Sequence, residues 1–354
     1  MTFFDLTRNT VEHRIIFSIQ HPAHVHLFRN AIADLTADGY EVYVFAREKD
    51  INIDLLEHYE ISHTVLAGEA TSLFELGLVE AAYEYRLTKA ARQIRPSVMV
   101  AMGGVAISRP GVLAGAKRLI FTDTEHATLQ NTLAFPFATR ICIPECYQGY
   151  IGEKQLRYPG YHELAYLHPN RFDPDESILD EIDANREESL VILRLISWDA
   201  AHDIGDSGFE DVVSVVESLE KTGATVCITS EADLPDAIED RQVSISPHRI
   251  HDLMAFADLY IGESATMATE SAVLGTPAVF VSSSRRGYTD ELEEKYGLVF
   301  NYSGQYRHEA GLMQALKILK SDEPNKWKRR REAMLDDKMD TTNFITKTIQ
   351  EMAR

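Results

Sequence analysis

The stretch DLYIGESATMATESAVLGTPAVFV, residues 258–281, decides how the chain is read. Its first five residues are an apolar run suited to a buried strand, and PAVFV (277–281) is another. Between them, TMATESAVLG (266–275) has helical spacing, with Gly275 as a C-terminal stop. Strand, helix and strand in so short a space make a βα unit of a parallel sheet. Ser264 and Thr266 stand at the strand-to-helix junction. There the first helical turn leaves backbone N–H groups without partners and carries a partial positive charge, which suits an anion. Ala265 and Ala268 are small enough to let a ligand reach the backbone, and Glu270, one turn on, can accept hydrogen bonds from a ribose diol. A plainer reading of the same residues makes Ser264 or Thr266 a helix cap and Glu270 a solvated charge.

Working outward, the same alternation recurs on both sides. In the N-terminal half, strands are expected at 14–19, 41–46, 63–67, 97–103, 118–122 and 139–144, with helices such as 26–39 and 79–94 between them. It falters over 158–188, where prolines and turn formers suggest a connection. It restarts with strands at 189–196 and 224–230 around a helix at 209–223, followed by a helix at 248–257. The expectation is an α/β protein of two tandem Rossmann-like doubly wound domains facing a cleft. Residues 1–160 form the first and 161–188 the linker; residues 189–340 form the second and 341–354 a C-terminal helix. Ligands of such sheets bind beyond the carboxyl ends of the strands.

Composition excludes several classes of function. A net charge of −20, from 55 acidic and 35 basic residues, argues against a nucleic-acid partner. Many carboxylates and few lysines (12, against 23 arginines) are compatible with a salt-adapted host. The three cysteines have no framework spacing, which points to a reducing compartment. CIPEC (142–146) lacks the second pair that a zinc site needs. The opening residues do not read as a signal peptide, and the longest apolar region is broken by Arg109, Pro110, Lys117 and Arg118, so a cytoplasmic protein without a transmembrane segment is expected.

ESATMATESAVLGTP (263–277) resembles the nucleotide-sugar signature of the glycosyltransferase-B (GT-B) superfamily, which includes the UDP-N-acetylglucosamine 2-epimerases and the glucosaminyltransferase that makes lipid II. Ser264, Ala265 and Thr266 match its phosphate-binding triplet, Glu270 its ribose-binding glutamate, and Gly275 and Pro277 its ending. Ala-Thr replaces the usual Gly-Gly, which narrows access to the backbone. HVHLFRNAIADLTADGYEV (24–42) looks like the first loop and helix of the lipid II-forming enzyme, with His24 on its loop histidine. MGGVAISRPGVLAG (102–115) is similar to its second glycine-containing segment. FTDTEHATLQN (121–131) sits where the epimerases have a catalytic glutamate, with Glu125 the counterpart. The chain also resembles an uncharacterised, largely archaeal family, for which ESATMATE (263–270) and YHELAYL (161–167) look typical.

The resemblance implies a glycosyltransferase using a nucleotide-activated sugar, expected to be UDP-linked, with a glycan or lipid-linked acceptor and neither cofactor nor metal. The helix beginning near Thr266 would stabilise the departing diphosphate with Arg194, and His24 or Glu125 would take the acceptor's proton. His202 is a further candidate in the loop after the strand at 189–196; Arg285 and Arg286 either close over phosphates or cap a loop. His21 and His26 accompany His24, but no carboxylate or cysteine cluster nearby completes a metal site. Two alternatives stand. A 2-epimerase would use Asp123 and Glu125 as acid–base groups, although the usual aspartate near Gly103 and Gly104 is missing. A non-catalytic module would bind the sugar nucleotide without turnover.

Overall fold

Short apolar runs form the sheets. The first seven strands are β1 (Arg14–Ile19), β2 (Glu41–Arg47), β3 (His63–Ala67), β4 (Val98–Met102), β5 (Lys117–Phe121), β6 (Arg140–Pro144) and β7 (Gln155–Tyr158). The remainder are β8 (Leu190–Leu195), β9 (Thr225–Ser230), β10 (Leu259–Gly262), β11 (Ala278–Val281) and β12 (Val299–Tyr302). The central strands are buried on both faces (β10 and β11 throughout, β1 in five of its six residues), so they read as continuous rather than alternating hydrophobicity. The computed structural model describes residues 13–70, 72–185, 187–196, 211–230, 233–321, 323 and 325–354.

Helices cover the sheets. In the first half they are α1 (Pro22–Ala37), α2 (Asn52–His58), α3 (Leu73–Ile94), α4 (Val105–Ala114) and α5 (Thr128–Ala134). Then follow α6 (Ser177–Glu181), α7 (Val212–Glu220), α8 (Ile250–Phe256), α9 (Ala265–Leu274), α10 (Gly287–Glu291), α11 (Arg307–Leu319), α12 (Lys326–Asp337) and α13 (Thr341–Ala353). α1 starts with Pro22, whose fixed φ suits a first turn, under the His21 cap. It ends before Gly39, whose φ of 84° favours glycine.

Among the described residues the strands form two wholly parallel sheets, in the orders β3-β2-β1-β4-β5-β6-β7 and β12-β11-β10-β8-β9. These are the two doubly wound α/β lobes expected. Strand order reverses between β1 and β4 in one and between β8 and β10 in the other, so each lobe opens a crevice there.

The segment after β7 was expected to be a connection of turns. Its first part is instead deeply buried: Tyr161, His162, Glu163, Leu164, Ala165 and Tyr166 are all 5% exposed or less. Tyr161 bonds Glu291 at 2.5 Å and Tyr166 bonds Glu270 at 2.7 Å, so this segment ties the second lobe to the first. α13 returns to the first lobe: the Thr341 and Thr342 hydroxyls donate to the carbonyls of Tyr161 and Ala165, and Gln350 reaches Asp38. One hydrophobic core therefore runs from Ile15 and Phe28 through Leu164 to Leu253, Val273 and Ile345, and a smaller core lies under the outer face of each sheet.

Candidate active site

The crevice of the second lobe is built where β10 passes β8. A Cβ at Gly262 would lie 2.7 Å from both the Cβ and the carbonyl oxygen of Arg194, so only glycine permits this approach. Ser264 follows as the N-cap of α9, its hydroxyl accepting the N–H of Met267 at 3.3 Å. The hydroxyl therefore caps the helix, as in the plainer reading of the sequence. The turn nevertheless stays open, since Ala265 is half-buried and Thr266 exposed. The first turn of α9, with its dipole, thus begins at the switch point.

Glu270, one turn in, is 5% exposed. Its Oε1 accepts the Tyr166 hydroxyl at 2.7 Å and lies 2.9 Å from His251 Nε2. Behind them, the His26 ring packs edge-on against His251, with centroids 4.9 Å apart, and against Tyr166 at 5.2 Å. Glu270 is therefore a fixed carboxylate, not a solvated helix charge. Arg285 is committed to its own loop, pairing with Asp290 at 2.7 Å and Glu293 at 3.0 Å, and Arg286 bonds Ser284. His202 lies outside the described residues.

The opposing lobe presents its own switch-point residues. His24 Nδ1 accepts the N–H of Gln20 at 3.3 Å, which leaves the ring proton on Nε2. Burial, with the nearby His21, Lys49, His162 and Arg47, lowers its pKa to about 3. His21 Nδ1 accepts the N–H of Ala23, and burial, with Lys49, lowers its pKa to about 4. Both are neutral near pH 7, and each is fixed as an Nε2–H donor.

Beyond β5, Asp123 Oδ2 lies 2.9 Å from Nδ1 of His162, which comes from the segment after β7. Burial alone raises the Asp123 pKa, but the His162 ring and the Thr124 hydroxyl more than offset it and hold the carboxyl below its ordinary value. His162 is 5% exposed, and its Nε2 is buried without a hydrogen-bond partner. The adjacent Glu163 is driven the other way: burial and the charges of Asp123 and Glu270 raise its pKa well above normal. Glu125 Oε1 accepts the N–H of Gln148 at 3.1 Å, while its Oε2 is buried without a partner.

The lobes meet beside Glu125. A Cβ at Gly287, at the start of α10, would lie 2.3 Å from the carbonyl oxygen of Cys146 and 2.6 Å from Glu125 Oε1. His126 Nε2 is 3.1 Å from the carbonyl oxygen of Arg285, and Gln148 donates to Asp290 at 3.2 Å. The structure thus puts Ser264, Ala265, Thr266, Glu270 and Arg194 at the crevice of one lobe, and His24 and Glu125 at the carboxyl edge of the other. His162, Tyr166 and His251 escaped the reading of the sequence. The available signal was YHELAYL itself, where polar groups interrupt an otherwise apolar run. Among the described residues no three His, Cys, Asp or Glu side chains are placed to hold a metal, and no helix is long and apolar enough to cross a membrane.

Two doubly wound lobes with facing crevices, and a last helix that returns to the first, define a GT-B-type α/β protein. Within that class, the chain belongs to the family described as "Protein of unknown function (DUF354)", whose model matches residues 14–300. It is similar to the uncharacterized protein MJ0665 of Methanocaldococcus jannaschii, with 23% identity over 269 residues, 72% of this chain and 78% of that one. Among solved structures it resembles the UDP-GlcNAc 2-epimerase of Neisseria meningitidis bound to UDP-GlcNAc, with a TM-score of 0.68, 10% identity, and coverage of 96% of this chain and 100% of that one. It also resembles the spinosyn forosaminyltransferase SpnP, with a TM-score of 0.65, 12% identity, and coverage of 97% and 100%. At such identities the likeness establishes the fold.

Proposed function

We propose that this protein is a glycosyltransferase that takes a UDP-activated sugar and moves the sugar to an acceptor hydroxyl. The observation that carries the reading is the open start of α9, capped by Ser264, with the buried Glu270 one turn behind it at the switch point. The helix terminus and Arg194 would hold the diphosphate, and Glu270 the ribose hydroxyls. The epimerase from Neisseria meningitidis is bound to UDP-GlcNAc in the same fold, which supports a sugar nucleotide as the ligand.

In the transfer step the acceptor oxygen bonds to the anomeric carbon. The bond from that carbon to the diphosphate oxygen breaks, and its electron pair leaves with the diphosphate. His24 or Glu125 was expected to be the base. The neutral Nε2–H of His24 suits a hydrogen-bond donor to the sugar or diphosphate. His162 is the better base, since Asp123, 2.9 Å from its Nδ1, would hold the proton there and leave Nε2 to accept one from the acceptor. Glu125 then borders the acceptor side of the seam. Closure of the lobes would exclude water, which otherwise hydrolyses the donor.

One observation favours epimerisation as a second reading: the pKa of Asp123 is lowered and that of the adjacent Glu163 raised, the opposed directions that suit a base and an acid. Incubation with UDP-GlcNAc separates the two. Acceptor-dependent UDP release supports transfer, and the manno isomer formed without acceptor supports epimerisation. Neither product from a panel of UDP-, dTDP- and GDP-sugars would refute both.

A further inference from the structure

A cavity of about 900 Å³ lies between the α1–α2 face of the first lobe, the connecting segment at Arg171 and Phe172, and the start of α8. Its charge is unusual for a chain of net −20: two arginines and three histidines line it, against a single carboxylate, Glu60, which is exposed at the rim. Arg171 contributes no spare charge, since Asp34 at 3.0 Å and Asp340 at 2.8 Å neutralise it.

Arg29 differs. Its guanidinium lies 4.2 Å over the Tyr59 ring, no carboxylate pairs with it among the described residues, and its Nε is buried without a hydrogen-bond partner. A second unpaired polar atom belongs to the same lining. His251 is 1% exposed, its Nε2 is used by Glu270, and its Nδ1 is buried without a partner. Leaving such groups unmatched is costly unless a ligand satisfies them. The other walls are aliphatic or aromatic: Ile32, Val44 and Phe172. The stacked rings of His58 and His248, 3.6 Å apart, close one side and join the lobes.

We infer that this cavity is a second ligand site, for a small organic anion with one carboxylate or phosphate on an apolar body. The anionic group meets the Arg29 guanidinium, and the body lies against Ile32, Val44 and Phe172. A single guanidinium over apolar walls selects against a polar, doubly charged diphosphate sugar. The volume is that of a pocket for a drug-sized molecule. The site stands independently of the nucleotide reading, although His251 puts its ligand one imidazole away from Glu270.

Calorimetric titration of the full chain with octanoate and with phenyl phosphate tests this, with inorganic phosphate and octan-1-ol as controls. At least one of the two amphiphilic anions is expected to bind saturably at one site, and the arm that binds identifies carboxylate or phosphate as the source. Arg29→Gln should weaken that binding at least about tenfold, the worth of one charged hydrogen bond. Ala33→Trp, which fills the cavity from the exposed face of α1, should abolish it without altering charge. Unchanged thermal melts and far-UV circular dichroism identify correctly folded variants. The proposal is overturned if neither anion binds, if octan-1-ol or inorganic phosphate binds as tightly as the anion, or if either folded variant keeps wild-type affinity.

Discussion

Gly287→Ala should separate the two lobes at the place where they meet. The added methyl would stand 2.3 Å from the carbonyl oxygen of Cys146, a backbone atom that no rotamer change can move. An ordinary carbon–oxygen contact is about 3.3 Å. The seam must therefore open by about 1 Å, at a cost of roughly 1–3 kcal/mol for overpacking. Opening also stretches the cross-lobe bonds from His126 to Arg285 and from Gln148 to Asp290, worth at most about 1 kcal/mol each at an exposed edge. A misplacement of about 1 Å between donor and acceptor groups lowers turnover by up to roughly 10²-fold. UDP affinity should hold, because α9 and Glu270 lie wholly in the second lobe apart from the Tyr166 contact. Urea unfolding, UDP calorimetry and steady-state kinetics on the one variant check each part. Wild-type stability together with wild-type turnover would refute the closed seam on which this reasoning rests.

Two other outcomes follow from the first lobe. His24 and His21 titrate near 3 and 4 when folded but near 6.5 when unfolded, so below pH 6.5 the unfolded chain binds more protons. Stability should be full above about pH 6.5 and fall as the pH drops toward 4, and His24→Asn should flatten that slope by up to about 1.4 kcal/mol per pH unit. Urea unfolding at several pH values measures it, and parallel slopes would contradict the assignment. His162→Gln should lower turnover by about 10²–10⁴-fold while UDP affinity stays near wild type. A variant with full activity would remove His162 from the chemistry.

Much of the fold was legible because buried parallel strands are continuous apolar runs, and because Ser264 and Gly275 are the residues helix ends require. β7 and β12 were not legible, being four residues long with half-exposed positions at the sheet edges. α4 was hidden by Pro110 inside it, which removes a backbone donor and argues against a helix. The positions of Ser264 and Glu270 could be read from local spacing. The partners of Glu270 could not, because Tyr166 and His251 come from another segment and another helix. The Asp123–His162 pair depends likewise on the neighbour order of β5, β6 and β7, which spacing along the chain does not encode. The prolines and turn formers of 158–188 suggested a connection, but the buried opening part of that segment carries more of the site than turn formers suggest.

The central claim is that the second lobe grips UDP through α9 and Glu270, and calorimetric titration of UDP into the wild-type chain and Glu270→Gln tests it most directly. Tyr166 and His251 already occupy one carboxylate oxygen, which leaves one charged hydrogen bond for the ribose, worth about 1.5–3 kcal/mol. The account predicts saturable one-site binding that weakens by about 10- to 150-fold in the variant. No binding of UDP by the wild-type chain, or equal affinity in a folded Glu270→Gln protein, would contradict it.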